Sequence, residues 1–354
     1  MKTAWTRALG ATVIALALAA VTSAQDLPAL KVKAIGLNSN TVASDIDEKT
    51  FWTKTIPEAS KGRISADFVP IDQSGIKDFQ IARISKLGAT DFAAGDISKL
   101  AGDDPVFEGC DLAGLALDIR TARKACEAWK PVMAKVLEEK FGTKLLAIGT
   151  NPPQVFWCRV PLSGVADLRG KKVRVFNKTM TDFINAVGGT TVSLPFGEVV
   201  PALQRGVVDC AVTGTLSGNT AGWPEVTTHL YPLYMGWSIN YQSVTLPSWQ
   251  KFDAKARDFF VDQFRKLEDT MWKTGTAAVA DAENCNFGKD PCKMGKKAKM
   301  TLVQVSDSDK KRHRELMENV VLTNWGKRCG RECAQRWNDT VGKVVNLRIP
   351  VDKI

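Results

Sequence analysis

Strand-like and helix-like segments take turns along most of this chain, and that alternation limits what it can fold into. Leu30 to Leu37 alternates well enough for a strand, with Lys31 and Lys33 facing away from Val32, and Asn38-Ser39-Asn40 ends it in turn chemistry. Phe51 to Ser60 reads as a helix stopped by Gly62. Ile64 to Val69 is a second strand, Phe79 to Leu87 a helix ended by Gly88, and Thr90 to Ala94 a short third strand. Ala122 to Phe141 carries a helical stripe interrupted by Pro131, which predicts a kink or two helices. Lys144 to Ile148 returns to strand. Alternation of this kind argues for an α/β protein with largely parallel sheets.

Asn151-Pro152-Pro153 marks a crossing, after which the pattern begins again. Strands are predicted at Lys172–Phe176, Thr191–Leu194 and Val207–Val212, with helices at Thr181–Val187 and Glu198–Arg205 between them. Phe252 to Trp272 is the clearest helix. Its residues Ala256, Phe260, Phe264, Leu267 and Met271 recur at three- and four-residue steps, a stripe that predicts core. With 354 residues, two domains can each bury a core without staples. The expected division is lobe 1 over 25–150, lobe 2 over 151–245, and a long helix with C-terminal segments over 246–354 that pack on both.

The first residues read differently. Lys2 and Arg7 precede an apolar run from Ala8 to Val21, and Thr22-Ser23-Ala24 supplies small residues before Gln25-Asp26. That order predicts a signal peptide over 1–24, cleaved near Ala24, and a periplasmic destination. The run falls short of the ~20 residues a membrane span needs. Losing Lys2 and Arg7 takes the formal net charge from +10 to +8.

Export changes the meaning of the cysteines. All eight (Cys110, Cys126, Cys158, Cys210, Cys285, Cys292, Cys329 and Cys333) follow the leader, and an oxidising compartment favours disulfides. Cys110–Cys126 and Cys158–Cys210 are expected pairs, and the last four pair locally or across. A four-thiolate zinc site at the C-terminal end is the alternative, although Cys285 and Cys292 lack the usual short spacing. The Lys-rich stretch from Cys285 to Met300 reads as a solvated loop or as an electrostatic contact with a membrane protein or anionic head groups.

Catalytic motifs are missing: there is no nucleophile elbow, P-loop, zinc-protease helix or dinucleotide fingerprint. Two histidines, His229 and His313, leave no His-rich metal site. The basic charge is spread rather than set in a nucleic-acid reader motif, so no nucleic acid is expected.

One segment is specific. It runs Asp167-Leu168-Arg169-Gly170-Lys171-Lys172-Val173-Arg174-Val175, then Leu194-Pro195-Phe196-Gly197-Glu198-Val199, then Ala202-Leu203-Gln204-Arg205-Gly206-Val207-Val208-Asp209. This resembles the solute receptors of TRAP transporters, the DctP family, closely over about 45 residues and more loosely over most of the chain after the leader. The resemblance implies a two-lobed periplasmic binding protein (type II-like), with a ligand cleft between the lobes and a long helix bridging them. It implies a receptor rather than an enzyme, needing no cofactor, acting as a monomer on a small organic acid, and delivering it to a TRAP permease with a small and a large membrane subunit.

The same resemblance points to site residues. Arg174 takes the place of the arginine that pairs with the substrate carboxylate, a geometry Lys cannot copy. Phe196 falls on the aromatic of the second motif, as a cleft wall, and Asn38 on a position that is often Asn in relatives. Asp96 and Lys99 take the places of an acid and a base after the third strand, with helix capping an equal reading of Asp96. Departures are also present. Thr213 stands where many relatives have Asn, and Cys210 where they have Gly. A second arginine is missing, its space falling to Gln154 or Trp157. Trp223 and Trp237 read as core. A ligand-presenting sensory receptor and a secreted hydrolase using the same cleft are the rival functions.

Overall fold

A computed structural model describes residues 27–354, so the expected leader over 1–24 lies outside the described residues. Two sheets organise the chain. The first half supplies β1 (Leu30–Gly36), α1 (Ile56–Ala59), β2 (Ile64–Pro70), α2 (Ile81–Lys86), β3 (Phe92–Asp96), α3 (Ile119–Phe141) and β4 (Thr143–Gly149). The next stretch supplies β5 (Gln154–Cys158), β6 (Lys172–Val175), α4 (Lys178–Ala186), β7 (Thr190–Ser193), α5 (Val199–Gln204), β8 (Cys210–Gly214), α6 (Thr215–Thr220), β9 (His229–Tyr231) and β10 (Asn240–Thr245). Then come α7 (Leu246–Lys251), α8 (Ala254–Asn286), β11 (Thr301–Leu302), α9 (Asp307–Leu316), α10 (Leu322–Cys329), α11 (Arg331–Asp339) and α12 (Val341–Val345).

The first sheet has the order β2-β1-β3-β10-β4 and the second the order β11-β9-β5-β8-β6-β7. Neither is as parallel as the alternation predicts. β10 runs antiparallel to β3 and β4, and β5 runs antiparallel to β8 and β9. The reason is connectivity. The chain leaves β4 of the first sheet to enter the second as β5, and leaves β9 of the second to return to the first as β10. A strand arriving from the other sheet need not follow a crossover helix, so it is free to run the opposite way. The residue range expected for lobe 2, 151–245, therefore includes one strand, Asn240–Thr245, that belongs to the first sheet.

The two crossings lie side by side. Asn151 N–H donates to the Trp237 carbonyl at 3.1 Å, Gln154 N–H to Gly236 at 2.8 Å, and Met235 N–H to Gln154 at 2.8 Å. Helix α8 is the third connection. Asp253 caps its start by accepting from Ala256 N at 2.8 Å. Its first half packs Phe260, Phe264, Leu267 and Met271 with Phe92, Trp52 and Ala147 of the first sheet's core. Its far end places Ala278 and Ala282 against Leu216 of α6 and Val42 of the first half. The predicted stripe stops at Trp272, but the helix continues to Asn286 because its second half packs on α6 rather than on a single sheet.

Helix α3 is one helix, not two: Pro131 lies inside it, where its missing N–H removes a single bond from a long, well-packed run. The C-terminal helices touch both halves. Trp325 and Trp337 donate to the carbonyls of Pro105 and Gly109 at 2.7 and 2.6 Å, while Arg328 pairs with Asp182 of α4 at 2.7 Å.

The disulfides are Cys110–Cys126, Cys158–Cys210, Cys285–Cys292 and Cys329–Cys333. The last four cysteines pair locally, which removes the thiolates that a zinc site at that end would need. The Lys-rich segment is held in place. Asp281 accepts from the N–H groups of Lys293 and Met294 at 2.8 and 2.7 Å, and Asn219 binds the Lys296 backbone on both sides. Lys289, Lys293, Lys296, Lys297 and Lys299 are exposed on it.

Candidate functional site

The carboxyl ends of the parallel strands of both sheets converge on one cavity, the location where α/β sheets present ligand sites. It holds ≈ 590 Å³ of atom-free space, its mouth included. The first sheet contributes Leu37 and Asn38 after β1 and Asp96 at the end of β3. The second contributes Arg174 of β6, Thr213 of β8 and Phe196 after β7. The crossings add Asn151, Gln154 and Ser238.

Arg174 is where charge enters. Alternation along β6 sends Val173 and Val175 into the core and turns Arg174 to the opposite face. The side chain is 1% exposed. Its Nε and Nη2 donate to the Leu194 carbonyl at 3.1 and 2.8 Å, and Nη1 donates to the Val212 carbonyl at 2.9 Å. Its Cζ lies 5.3 Å from the centre of the Phe176 ring. Burial pulls its pKa down to about 10, against the opposing pull of Asp78 and Asp96, so it carries its charge at neutral pH. A guanidinium has five N–H donors. Three serve to fix the plane, which leaves one on each terminal nitrogen for a ligand.

Acids balance this cation. Lys99 Nζ contacts Asp78 Oδ2 at 2.6 Å, with both side chains about nine-tenths buried. Burial pushes the Asp78 carboxyl up, but Lys99, by charge and hydrogen bond, and Arg174 hold it below the ordinary carboxylate range. Asp78 Oδ2 also faces the Phe196 N–H at 3.5 Å, a contact between residues on opposite sides of the cavity. Asp96 both caps and lines: its Oδ1 accepts from Ser98 N and Oγ at 2.9 and 2.6 Å, its Oδ2 accepts from Ser238 Oγ, and the residue faces the cavity. Behind it Asp111 accepts twice from the Trp237 N–H. Complete burial, opposed by these hydrogen bonds, pushes its pKa up to about 7.

Seven of the eight residues singled out from the sequence line this cavity: Arg174, Phe196, Thr213, Asn38, Asp96, Lys99 and Gln154. Trp157 does not. β5 starts at the cavity and runs away from it, so a residue three positions along stands about 10 Å deeper. Trp157 is fully buried under α6 and donates to the Thr213 carbonyl at 3.4 Å. It still supports the wall. Its ring meets Trp223 edge-on at 6.0 Å, and Trp223 stacks on Phe196 at 5.7 Å. Trp223 and Trp237 are buried in the core, as expected.

Sequence reasoning missed Asp78, Asn151, Ser217 and Ser238. Asn151 stood in the recognised crossing, and its turn chemistry hid its side chain's role. Asp78 has no local signal, because only folding brings it to Lys99, 21 positions away. Three buried polar atoms on this wall, Asp78 Oδ1, Asn151 Oδ1 and Ser217 Oγ, have no hydrogen-bond partner among the described residues.

The chain is similar to known proteins over most of its length. Residues 40–327 match the family described as bacterial extracellular solute-binding protein, family 7 (DctP). The chain is 32% identical over 232 residues to the C4-dicarboxylate-binding periplasmic protein DctP of Rhodobacter capsulatus, covering 63% of this chain and 67% of that one. It is 24% identical over 266 residues to the 2,3-diketo-L-gulonate-binding periplasmic protein YiaO of Escherichia coli, covering 70% and 80%. Among solved structures, a Bordetella pertussis extracytoplasmic solute receptor binding pyroglutamic acid superposes with a TM-score of 0.79 at 18% identity, over 90% of this chain and all of that one. That similarity is one of fold.

Proposed function

Since this chain belongs to bacterial extracellular solute-binding protein family 7, the DctP receptors of TRAP transporters, we propose that it captures one small organic acid and hands it to an ion-coupled TRAP permease. Members of this family are solute receptors and not enzymes. The observation that carries the reading is Arg174: a buried guanidinium, locked in plane by Leu194 and Val212, facing a cavity with two N–H donors to spare. A planar fork of that kind matches a carboxylate. The relatives named above bind acids of this general kind, a C4-dicarboxylate, a diketo-gulonate and pyroglutamic acid.

In this reading the acid docks on Arg174 and the two sheets close over it, with the paired crossings at Asn151–Gln154 and Met235–Trp237 as the hinge. The acid must bind the closed form better than the open one, or it shifts nothing. Asn38, Asp96, Lys99, Gln154, Phe196 and Thr213 shape the rest of the pocket. The closed receptor then meets the small and large membrane subunits. The leader over 1–24 takes the chain to the periplasm. Among the described residues no helix is long and apolar enough to cross a membrane.

A thermal-shift screen of the mature protein tests this reading. An acid at 100 times its Kd raises stability by ~2.7 kcal/mol. A shift confined to organic acids supports it, and a shift only with neutral amides or alcohols overturns it.

A further inference from the structure

We propose that the ligand is a monocarboxylate whose body carries an N–H or O–H donor, such as a hydroxy acid or a lactam acid, and that Asp78 reads that donor. The inference rests on the reading that the cavity holds an organic acid on Arg174.

The charges on the wall lead to it. Two cations, Arg174 and Lys99, face two carboxylates, Asp78 and Asp96. Lys99 is committed to Asp78 Oδ2 at 2.6 Å in a pair about nine-tenths buried. The Lys99 charge is thus already offset by Asp78, while Arg174 spends its hydrogen bonds on backbone carbonyls and keeps its charge and one N–H on each terminal nitrogen for one ligand carboxylate. A second carboxylate on the ligand would meet Asp78 and Asp96 with no cation free to offset it, and like charges in a buried site oppose each other strongly.

The neutral contacts point the same way. Asp78 Oδ1 is buried with no donor among the described residues, and so is Asn151 Oδ1, whose own amide N–H is spent on Ser238. Buried acceptors without partners are rare in native proteins and costly. A saturated alkyl acid or a simple keto acid has no donor and leaves both unpaired. A hydroxyl or lactam N–H supplies what the wall lacks. Asp78 also faces the Phe196 N–H across the cavity at 3.5 Å, so a ligand bridging Arg174 and Asp78 spans both sides of the cleft.

Calorimetric titration of the mature protein with matched acids tests this. The pairs are lactate against pyruvate and pyroglutamate against tetrahydrofuran-2-carboxylate, with malonate and succinate as diacids. The donor-bearing member should bind at least about tenfold tighter in one pair or both, and the diacids more weakly than it. Asp78→Ala should erase the preference within the pair and raise succinate affinity, since Lys99 is released. Should that variant fail to fold, Asp78→Asn keeps the shape, removes the charge and must still raise succinate affinity. Equal affinities within both pairs, or diacids binding tightest, overturn the inference and leave the receptor reading standing. Binding of no acid at all removes the arginine-anchored reading, and this inference with it.

Discussion

Arg174 reaches the carbonyl of Leu194 through two nitrogens, Nε at 3.1 Å and Nη2 at 2.8 Å, from a neighbouring strand's end. One oxygen thus fixes the plane of the whole fork, and Val212 fixes its rotation from the other side. Arg174→Ala is expected to weaken binding of the acid by at least ~2 kcal/mol, because a charged hydrogen-bonding partner is lost. Arg174→Lys should recover little of it, since an ammonium keeps the charge but lacks the fork. Titration calorimetry checks both, and near-normal affinity in Arg174→Ala would sink the assigned role.

Glu48 is fully buried, accepting from the Leu37 N–H at 2.7 Å and the Gln242 amide at 2.5 Å. Burial, with Asp47 adding repulsion and these hydrogen bonds opposing it, pushes its pKa from 4.5 up to about 7. A carboxyl raised on folding stabilises the fold fully below its unfolded pKa, and that contribution is lost as pH rises through 7. Glu48→Gln cannot ionise. Its unfolding free energy should therefore gain on the wild type by roughly 2–3 kcal/mol between pH 4.5 and pH 8. Denaturant melts at both pH values would show it, and a pH-independent difference would refute it.

Gly218 lies in α6 over the Trp157 ring, and a Cβ there would fall 2.6 Å from that ring. Helix propensity favours Ala over Gly by ~1 kcal/mol. Overpacking is expected to win, so Gly218→Ala should destabilise by about 1–3 kcal/mol. Since Trp157 supports Phe196 through Trp223, acid affinity should fall too. A stabilised variant with intact affinity would contradict this account.

Cys158–Cys210 joins β5 to β8 directly across their ladder, its cysteines 52 positions apart, whereas those of Cys329–Cys333 are only four apart. Loop-closure entropy puts these at about 4 and about 2 kcal/mol. Cys158→Ala with Cys210→Ala should therefore lower the melting temperature clearly more than Cys329→Ala with Cys333→Ala. Equal losses from the two pairs would contradict the entropic ranking.

Much of this protein is determined by local sequence. Period-2 alternation marks the strand that holds Arg174 and the one that leads to Asn38, and three- and four-residue steps mark the first half of α8, because those periods reflect which face each side chain presents. The motif from Asp167 to Asp209 points to Arg174, Phe196 and the family. Tertiary structure alone decided the rest. β10 went unrecognised because its side chains are buried on both faces, so its residues do not alternate. The antiparallel strands arise from chain crossings between sheets, which no local pattern encodes. Trp157 falls out of the cavity because β5 runs away from it, a direction set by pairing with β8. Asp78 enters the cavity because the fold closes 21 positions of chain to bring it to Lys99, and the contact that defines its chemistry exists only after that closure.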